Sequence, residues 1–187
     1  MSIMMLLTVF MLVKQSRFDS STVLRALAYS VALSVRQAQV YGTSVVGTST
    51  SLAVCSGGSY NATTGNCYAS AYGLYFDTAT PSSYTLFADL NNDGRFNTTE
   101  TVKVFNLGNG YVISNFCATN QVGTDRCEPS AISSLTIIFK RPNPDATFVA
   151  LDSGGAVIAG GAYRSASIQI QAIAAAVTPN RITVLTP

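Results

Sequence analysis

One acidic stretch of this chain has the spacing of a calcium-binding loop. Asp89, Asn91, Asp93, Gly94 and Glu100 match the pattern D-x-[DN]-x-[DN]-G followed by five residues and a glutamate. Calcium takes about six to eight oxygen ligands, so side chains at alternate loop positions point inward, and a glycine at the sixth position allows the sharp turn. The spacing therefore predicts a calcium site between residues 89 and 100.

The other ligands of this predicted site follow from their positions in the loop. Arg95 is expected to offer its backbone carbonyl, Asn97 to bind directly or through water, and Glu100 to close the site with two oxygens. The predicted ligand set is Asp89, Asn91, Asp93, Arg95, Asn97 and Glu100. Residues 84–88 and 102–105 have the pattern of strands, so we expect a structural ion in a β-hairpin, without helix-pair switching. The alternative is a turn whose side chains cap its own backbone.

The four cysteines flank two glycine-containing loops, and their spacing does not match a zinc site. Four cysteines allow three pairings. We favour Cys55–Cys67 and Cys117–Cys127, because each bond closes a short local loop in an oxidising compartment. The alternative is that all four are free thiols buried in the core.

Composition argues against catalysis and against an electrostatic partner. The chain has no histidine, which removes the commonest general base and the commonest transition-metal ligand. Its nine Asp and Glu residues lie mostly beside turn residues, so few acid–base pairs exist. We therefore expect no enzyme, with a secreted hydrolase as the alternative. A formal net charge of +2 gives no electrostatic case for binding nucleic acid.

The alternative that the protein binds DNA rests on three basic residues. Lys140, Arg141 and Arg164 would form a small basic patch, and binding through such a patch would weaken as salt is added. The favoured interpretation of these residues is solvated strand ends, so nucleic acid is the less expected partner.

The elements that must carry these residues begin with an apolar run over residues 1–13, MSIMMLLTVFMLV. This run is too short to span a bilayer alone, since a transmembrane helix needs about 20 residues. It also lacks the basic start and the small-residue cleavage site of a secretory signal. The alternative is a buried core helix.

The following segment is amphipathic and predicts a helix. The positions that share one helix face are Leu24, Leu27, Val31, Val35 and Ala38. Gly42 is the expected helix stop. Because residues 14–22 contain neither proline nor glycine, we predict one long helix from about residue 3 to residue 41. Its first part is apolar all round, and its second part packs on a domain.

After Gly42 the pattern changes to alternation and β-branched residues. The predicted strands are residues 43–46, 51–54, 71–76, 84–89, 102–107, 112–116, 135–141, 148–151 and 166–173, with weaker signals at 157–158 and 182–185. Short glycine- and asparagine-rich turns separate them, which favours antiparallel pairing. The predicted fold class is α+β: a helical region, 1–42, packed on an antiparallel β-sheet domain, 43–187.

Two stretches resemble a known family. Residues 24–42, LRALAYSVALSVRQAQVYG, and residues 84–100, YTLFADLNNDGRFNTTE, are similar to the helix stem and central hairpin of H-type minor pseudopilins of type II secretion and related type IV minor pilins. Members of that family normally begin with a basic leader, a glycine before the cleavage point and a glutamate five residues into the mature helix. Residue 5 here is Met5, so we expect a truncated head.

The resemblance implies a function in assembly. It implies a structural subunit of a type IV pilus or type II secretion filament, which contacts other pilin or pseudopilin subunits through the N-terminal helix. It also implies residence in the bacterial inner membrane before assembly, with the β-rich domain outside the cytoplasm, and in a periplasmic or cell-surface filament afterwards. The alternative is a binding module: a surface adhesin or a DNA-uptake minor pilin.

Overall fold

The computed structural model describes residues 2–49, 55–69, 71–108, 110–127, 132–158, 163–173 and 180–185. The helix α1 is Ser2–Thr43, and a single 3-10 turn is Thr98–Glu100. The strands are β1 (Thr48–Ser49), β2 (Ser59–Asn61), β3 (Asn66–Tyr68), β4 (Ala71–Asp77), β5 (Ser83–Asp89), β6 (Thr101–Asn106), β7 (Tyr111–Asn120), β8 (Asp125–Cys127), β9 (Ser134–Lys140), β10 (Asn143–Leu151), β11 (Tyr163–Ala172) and β12 (Asn180–Leu185).

The strands form antiparallel sheets of different sizes. A small sheet has the order β1-β3-β2, a five-stranded sheet has the order β10-β9-β4-β5-β6, and a third has the order β12-β11-β7-β8. Neighbours along the chain, such as β4 with β5 and β9 with β10, pair antiparallel. The short turns seen in the sequence therefore do connect paired strands.

The predicted α+β fold class is wrong. The chain is mainly antiparallel sheet, with 48% strand and 20% helix, and the described packing of α1 on the sheets is confined to a short segment of about 23 residues at Ser21–43. The physical reason is the start of the amphipathic pattern: among the α1 side chains that the structure describes, Leu24 is the first that is fully buried in the core. A helix contributes to a fold through its apolar face, and here that face is short.

One apolar core joins the helix to both larger sheets. On the helix side, Leu24, Val31 and Ala38 are completely buried. They belong to the same cluster as Leu74 of β4 and Ile168 of β11. Burying one such aliphatic side chain stabilises the fold by about 1.5–3 kcal/mol. Two other members of the predicted face, Leu27 and Val35, are only partly buried against this core.

Most predicted strands lie in observed strands, but the first does not. Residues 43–46 contain the end of α1 at Thr43 and then a turn, because the helix runs one residue past Gly42. The prediction at 51–54 lies outside the described residues. The prediction at 157–158 corresponds only to an isolated bridge between Leu151 and Val157.

Both favoured disulfides are present. Cys55 is bonded to Cys67, and Cys117 is bonded to Cys127. The second bond lies directly across the pairing of β7 with β8, where Cys117 and Cys127 are register partners. The first closes the segment that contains the β2–β3 hairpin. Each bond thus holds one strand of only three residues, β3 at Cys67 and β8 at Cys127.

Candidate functional site

The acidic loop, residues 89–100, connects two adjacent strands of the five-stranded sheet. Asp89 is the last residue of β5, and Glu100 ends the 3-10 turn that leads into β6. Because β5 and β6 are paired, the two ends of the loop lie side by side. Both carboxylates are buried, with Asp89 2% exposed and Glu100 3% exposed. Buried carboxylates require compensating partners.

Asp89 accepts hydrogen bonds from the far side of its own loop. Its Oδ1 accepts from the Asp93 backbone N–H at 3.2 Å, and its Oδ2 accepts from the Gly94 N–H at 3.1 Å. Gly94 has φ of 73°, in the left-handed region where a glycine is favoured. The first and sixth positions of the motif are therefore in contact.

Glu100 closes the loop from the other end. Its Oε1 accepts from the N–H groups of Leu90 and Asn91 at 3.0 and 3.4 Å. Its Oε2 accepts from the Asn97 N–H at 3.0 Å, and Asn97 in return caps the 3-10 turn. This is a capping box, in which a side chain and a backbone satisfy each other's N–H groups.

The remaining predicted ligands lie on the exposed side of the acidic loop. Asn91 donates from Nδ2 to Asp93 Oδ2 at 2.9 Å, and Asp93 Oδ1 accepts from the Arg95 N–H at 2.8 Å. Asn91, Asp93, Arg95 and Asn97 are all exposed. The oxygens have the hard chemistry that calcium prefers, but in this arrangement they accept hydrogen bonds from the loop's own backbone. The self-capped turn and the calcium site are thus compatible with the same residues.

Within the described ranges, no three His, Cys, Asp or Glu side chains form a group that could hold a metal ion. Calcium binding at residues 89–100 accordingly stays a prediction. Two carboxylates, of Asp89 and Glu100, are close enough for the charge of one to act on the other. Binding would require the exposed side chains of the loop to turn inward toward them.

Burial changes the acidity of both inner carboxyls. It raises the pKa of Asp89 above its ordinary value; the Gly94 N–H acts in the opposite direction, and the nearby charge of Asp93 adds to the rise. Burial likewise raises the pKa of Glu100, against the N–H groups of Leu90 and Asn97. The folded protein therefore holds protons at these two carboxyls more tightly than the unfolded chain does.

These pKa shifts predict that, in chelator, the protein loses stability as pH rises above about 4, where the carboxyls of the unfolded chain ionise. A raised folded-state pKa stabilises fully below the unfolded pKa, and the contribution is lost as pH passes the folded one. The slope is at most about 1.4 kcal/mol per pH unit for each proton. Melting temperature against pH measures it. Asp89→Asn and Glu100→Gln should flatten the profile; a melting temperature that increases as pH rises above about 4 contradicts the prediction.

Contacts from distant segments hold the acidic loop in place. The Gly57 N–H donates to the Leu90 carbonyl at 2.6 Å, which ties the loop to the segment closed by the first disulfide. Lys140 Nζ donates to Asn92 Oδ1 at 2.8 Å. Phe96 stacks on Tyr75 with ring centroids 4.5 Å apart. Sequence spacing does not reveal these neighbours, because they come from distant segments of the chain.

Residues of the predicted basic patch make hydrogen bonds within the protein itself. Lys140 is hydrogen-bonded to Asn92 of the acidic loop. Arg141 donates to the Ser44 and Ala69 carbonyls at 3.3 and 2.6 Å, and so fastens the end of α1 to the sheet. Arg164 lies on β11, in a different sheet. The three cations therefore give little support to a DNA-binding surface.

A second candidate site is the outer face of α1, which we define as Tyr29, Leu33 and Val40. These side chains are 67%, 51% and 48% exposed. Their spacing of four and seven residues places them on one side of the helix. Val23, near the start of this segment, is 40% exposed. The amphipathic pattern predicts only the side of the helix that packs inward, so it does not indicate this face.

Comparisons with known proteins do not identify a family for this chain. No family model, no curated protein and no solved structure matches the chain. Among the described residues, none of the helical segments has the combination of length and hydropathy that a bilayer crossing requires. The resemblance to pilin-like proteins is therefore carried by residues 24–42 and 84–100 alone.

Proposed function

We propose that this protein is a structural assembly subunit, a minor pilin or pseudopilin, of a type IV pilus or type II secretion filament. The observation that carries the proposal is the helix segment with two apolar faces. One face, Leu24, Val31 and Ala38, is completely buried against the β-domain. The outer face, Tyr29, Leu33 and Val40, is exposed.

The two faces lie on opposite sides of the helix. Each residue turns an α-helix by about 100°, so the outer face is centred about 180° from the buried face. A helix that served only its own domain would place polar side chains there. Large exposed apolar side chains on one stripe are typical of a surface that contacts a partner. In the proposed filament this partner is the helix of another pilin or pseudopilin subunit.

The N-terminal end of the chain is compatible with the same role. Met4 and Met5 are 73% and 76% exposed. Apolar side chains at the start of a helix suit insertion into a membrane or into a bundle of like helices, since both environments leave the helix backbone satisfied internally. We place the chain in the bacterial inner membrane before assembly, with its disulfide-bonded domain outside the cytoplasm.

Calcium belongs to the proposal as a structural ion. Asp89, Asn91, Asp93, Asn97 and Glu100 would supply side-chain oxygens and Arg95 its carbonyl. An ion there would balance the charge of the two buried carboxylates and brace the hairpin between β5 and β6. It would add stability only when bound. No step of the assembly depends on it.

The test of the assembly role replaces the apolar side chains of the outer face with polar ones. In Tyr29→Gln/Leu33→Gln/Val40→Gln, glutamine keeps helix propensity but removes the apolar stripe. We expect at least a tenfold loss from the sheared-filament and envelope-complex fractions of the source cell, measured by immunoblot. Melting temperature should change little, because exposed substitutions usually cost less than about 0.5 kcal/mol each.

The matched control changes equally exposed positions away from the outer face. Ser30→Gln/Ala32→Gln replaces two exposed residues of the same helix segment, each about 80° from the centre of the outer face, and it should enter the fractions as the unaltered chain does. If the outer-face variant enters them at the unaltered level too, the helix is not the assembly surface. Salt-sensitive DNA binding by a chain that does not assemble would favour the DNA-uptake alternative instead.

A further inference from the structure

Two stretches of the chain have the N-x-[ST] pattern of an acceptor for asparagine-linked glycosylation. They are Asn61-Ala62-Thr63 and Asn97-Thr98-Thr99. The pattern alone is a weak signal, since short motifs occur by chance. The two asparagines, however, lie in different surroundings, and these surroundings distinguish one as an acceptor.

Asn61 lies at the tip of a surface hairpin. It is the last residue of β2 and pairs with Asn66 of β3. The Gly65 N–H donates to the Asn61 carbonyl at 2.9 Å and closes the turn. All residues from Asn61 to Thr64 are exposed. The hairpin lies inside the segment closed by the Cys55–Cys67 disulfide, so it is expected to be displayed in an oxidising compartment.

Hydrogen bonds hold the side chain of Asn61 through its oxygen and leave its nitrogen available. Its Oδ1 accepts from the backbone N–H groups of Thr63 and Thr64 at 3.0 and 3.3 Å. In the part of the chain that is described, no group accepts a hydrogen bond from Asn61 Nδ2. Two donors on the oxygen stabilise negative charge there, which favours loss of a proton from the nitrogen. This makes a weakly nucleophilic amide easier to activate.

Asn97 is exposed but engaged in the acidic loop. Its backbone N–H donates to the buried Glu100 carboxylate at 3.0 Å, and its Oδ1 accepts from the Thr99 N–H at 3.3 Å. The Thr99 hydroxyl, which a transfer enzyme must recognise, donates to the same Oδ1 at 3.4 Å. Drawing this segment into an enzyme would break the capping box and leave buried carboxylate oxygens without partners.

We propose that Asn61 is an acceptor for an N-linked saccharide and that Asn97 is not. In the transfer, a bond forms between Asn61 Nδ2 and the anomeric carbon of a polyprenyl-diphosphate-linked saccharide. The bond from that carbon to the diphosphate oxygen breaks, and the lipid diphosphate leaves with the electron pair. The proton from Nδ2 passes to a base of the transferring enzyme. The inference rests on the proposed exported domain and not on filament assembly.

The experiment uses the purified full chain with both disulfides intact. It is incubated with an oligosaccharyltransferase that recognises N-x-[ST] and with polyprenyl-diphosphate-linked chitobiose, beside an acceptor peptide as positive control. Intact mass and peptide mapping should find one added saccharide at Asn61, at least tenfold above any at Asn97. Asn61→Gln and Thr63→Val should abolish it, whereas Thr63→Ser and Asn97→Gln should retain it.

Several results would overturn the inference: no added mass while the peptide is modified, equal or greater modification at Asn97, or modification that persists in Thr63→Val. Thr63→Ser guards against misfolding, because it keeps the hydroxyl and the backbone N–H that holds Asn61 Oδ1. Entry of Asn61→Gln into the filament fraction is measured separately. Failure of glycosylation with normal assembly therefore refutes this inference alone, and failure of assembly with normal glycosylation refutes the assembly role alone.

Discussion

Excess calcium is expected to raise the melting temperature of the full chain by about 5–10 °C relative to chelator. A ligand at 100 times its dissociation constant stabilises the folded state by about 2.7 kcal/mol, and each kcal/mol shifts the melting temperature of a protein of this size by about 2–4 °C. The physical source is the pair of carboxylates of Asp89 and Glu100, buried at the two ends of one loop. A cation between them would balance charge that burial disfavours.

The decisive variant for calcium is Asp93→Asn with Asp145→Asn as its matched control. Asp93 is exposed and Asp145 is half-buried, and both accept a hydrogen bond from an asparagine two residues earlier, at 2.9 Å from Asn91 and 2.8 Å from Asn143. Asp93→Asn removes a predicted ligand charge but keeps an oxygen for the Arg95 N–H. We expect it to remove most of the calcium-induced shift, whereas Asp145→Asn keeps the full shift.

Two results would contradict calcium binding at residues 89–100. If scanning calorimetry finds the same melting temperature in calcium and in chelator, residues 89–100 are a self-capped turn. If Asp93→Asn shows the same calcium response as the unaltered chain, the ion binds elsewhere. In both cases the hydrogen bonds that Asp89 and Glu100 accept from the loop backbone are the full explanation of their burial.

The sequence was informative where local chemistry decides the structure. The β-branched and aromatic residues over β4, β5 and β9 predicted strands close to their observed bounds, because such side chains suit strands that are largely buried on both faces. The cysteine pairing followed from short loop closure. The contacts of Asp89 with Gly94 and of Glu100 with Asn97 also lie within one loop, so the motif spacing could indicate them.

The sequence was uninformative where contacts with other segments of the chain determine the structure. The strands β2, β3 and β8 have only three residues each, and disulfides at Cys67 and Cys127 hold two of them in place without a strong β pattern. The helix pattern identified an inward face but could not show how short the described packing of that face on the sheets is. Gly57 and Lys140 contact the acidic loop from distant positions, which no local pattern encodes.

Gly42→Ala is expected to destabilise the protein by about 2–3 kcal/mol, although local propensity predicts the opposite sign. Gly42 lies inside α1, where alanine is favoured over glycine by about 1 kcal/mol. A Cβ at this position, however, would lie 2.3 Å from the backbone carbonyl oxygen of Phe139 and 2.8 Å from its Cβ. Backbone of β9 cannot move aside as a flexible side chain can, so the cost of overpacking dominates.

The sign of the change in melting temperature is therefore the measurement that matters. Gly155→Ala serves as the contrast: its φ is 75° and no atom lies within 4 Å of a Cβ built there, so only backbone strain of about 1 kcal/mol is expected. A Gly42→Ala chain that melts at or above the unaltered temperature would show that the helix end does not approach β9 so closely. Because Arg141 fastens Ser44 beside the same helix end, a helix displaced by Gly42→Ala would also turn its outer face. Filament entry should then fall together with stability.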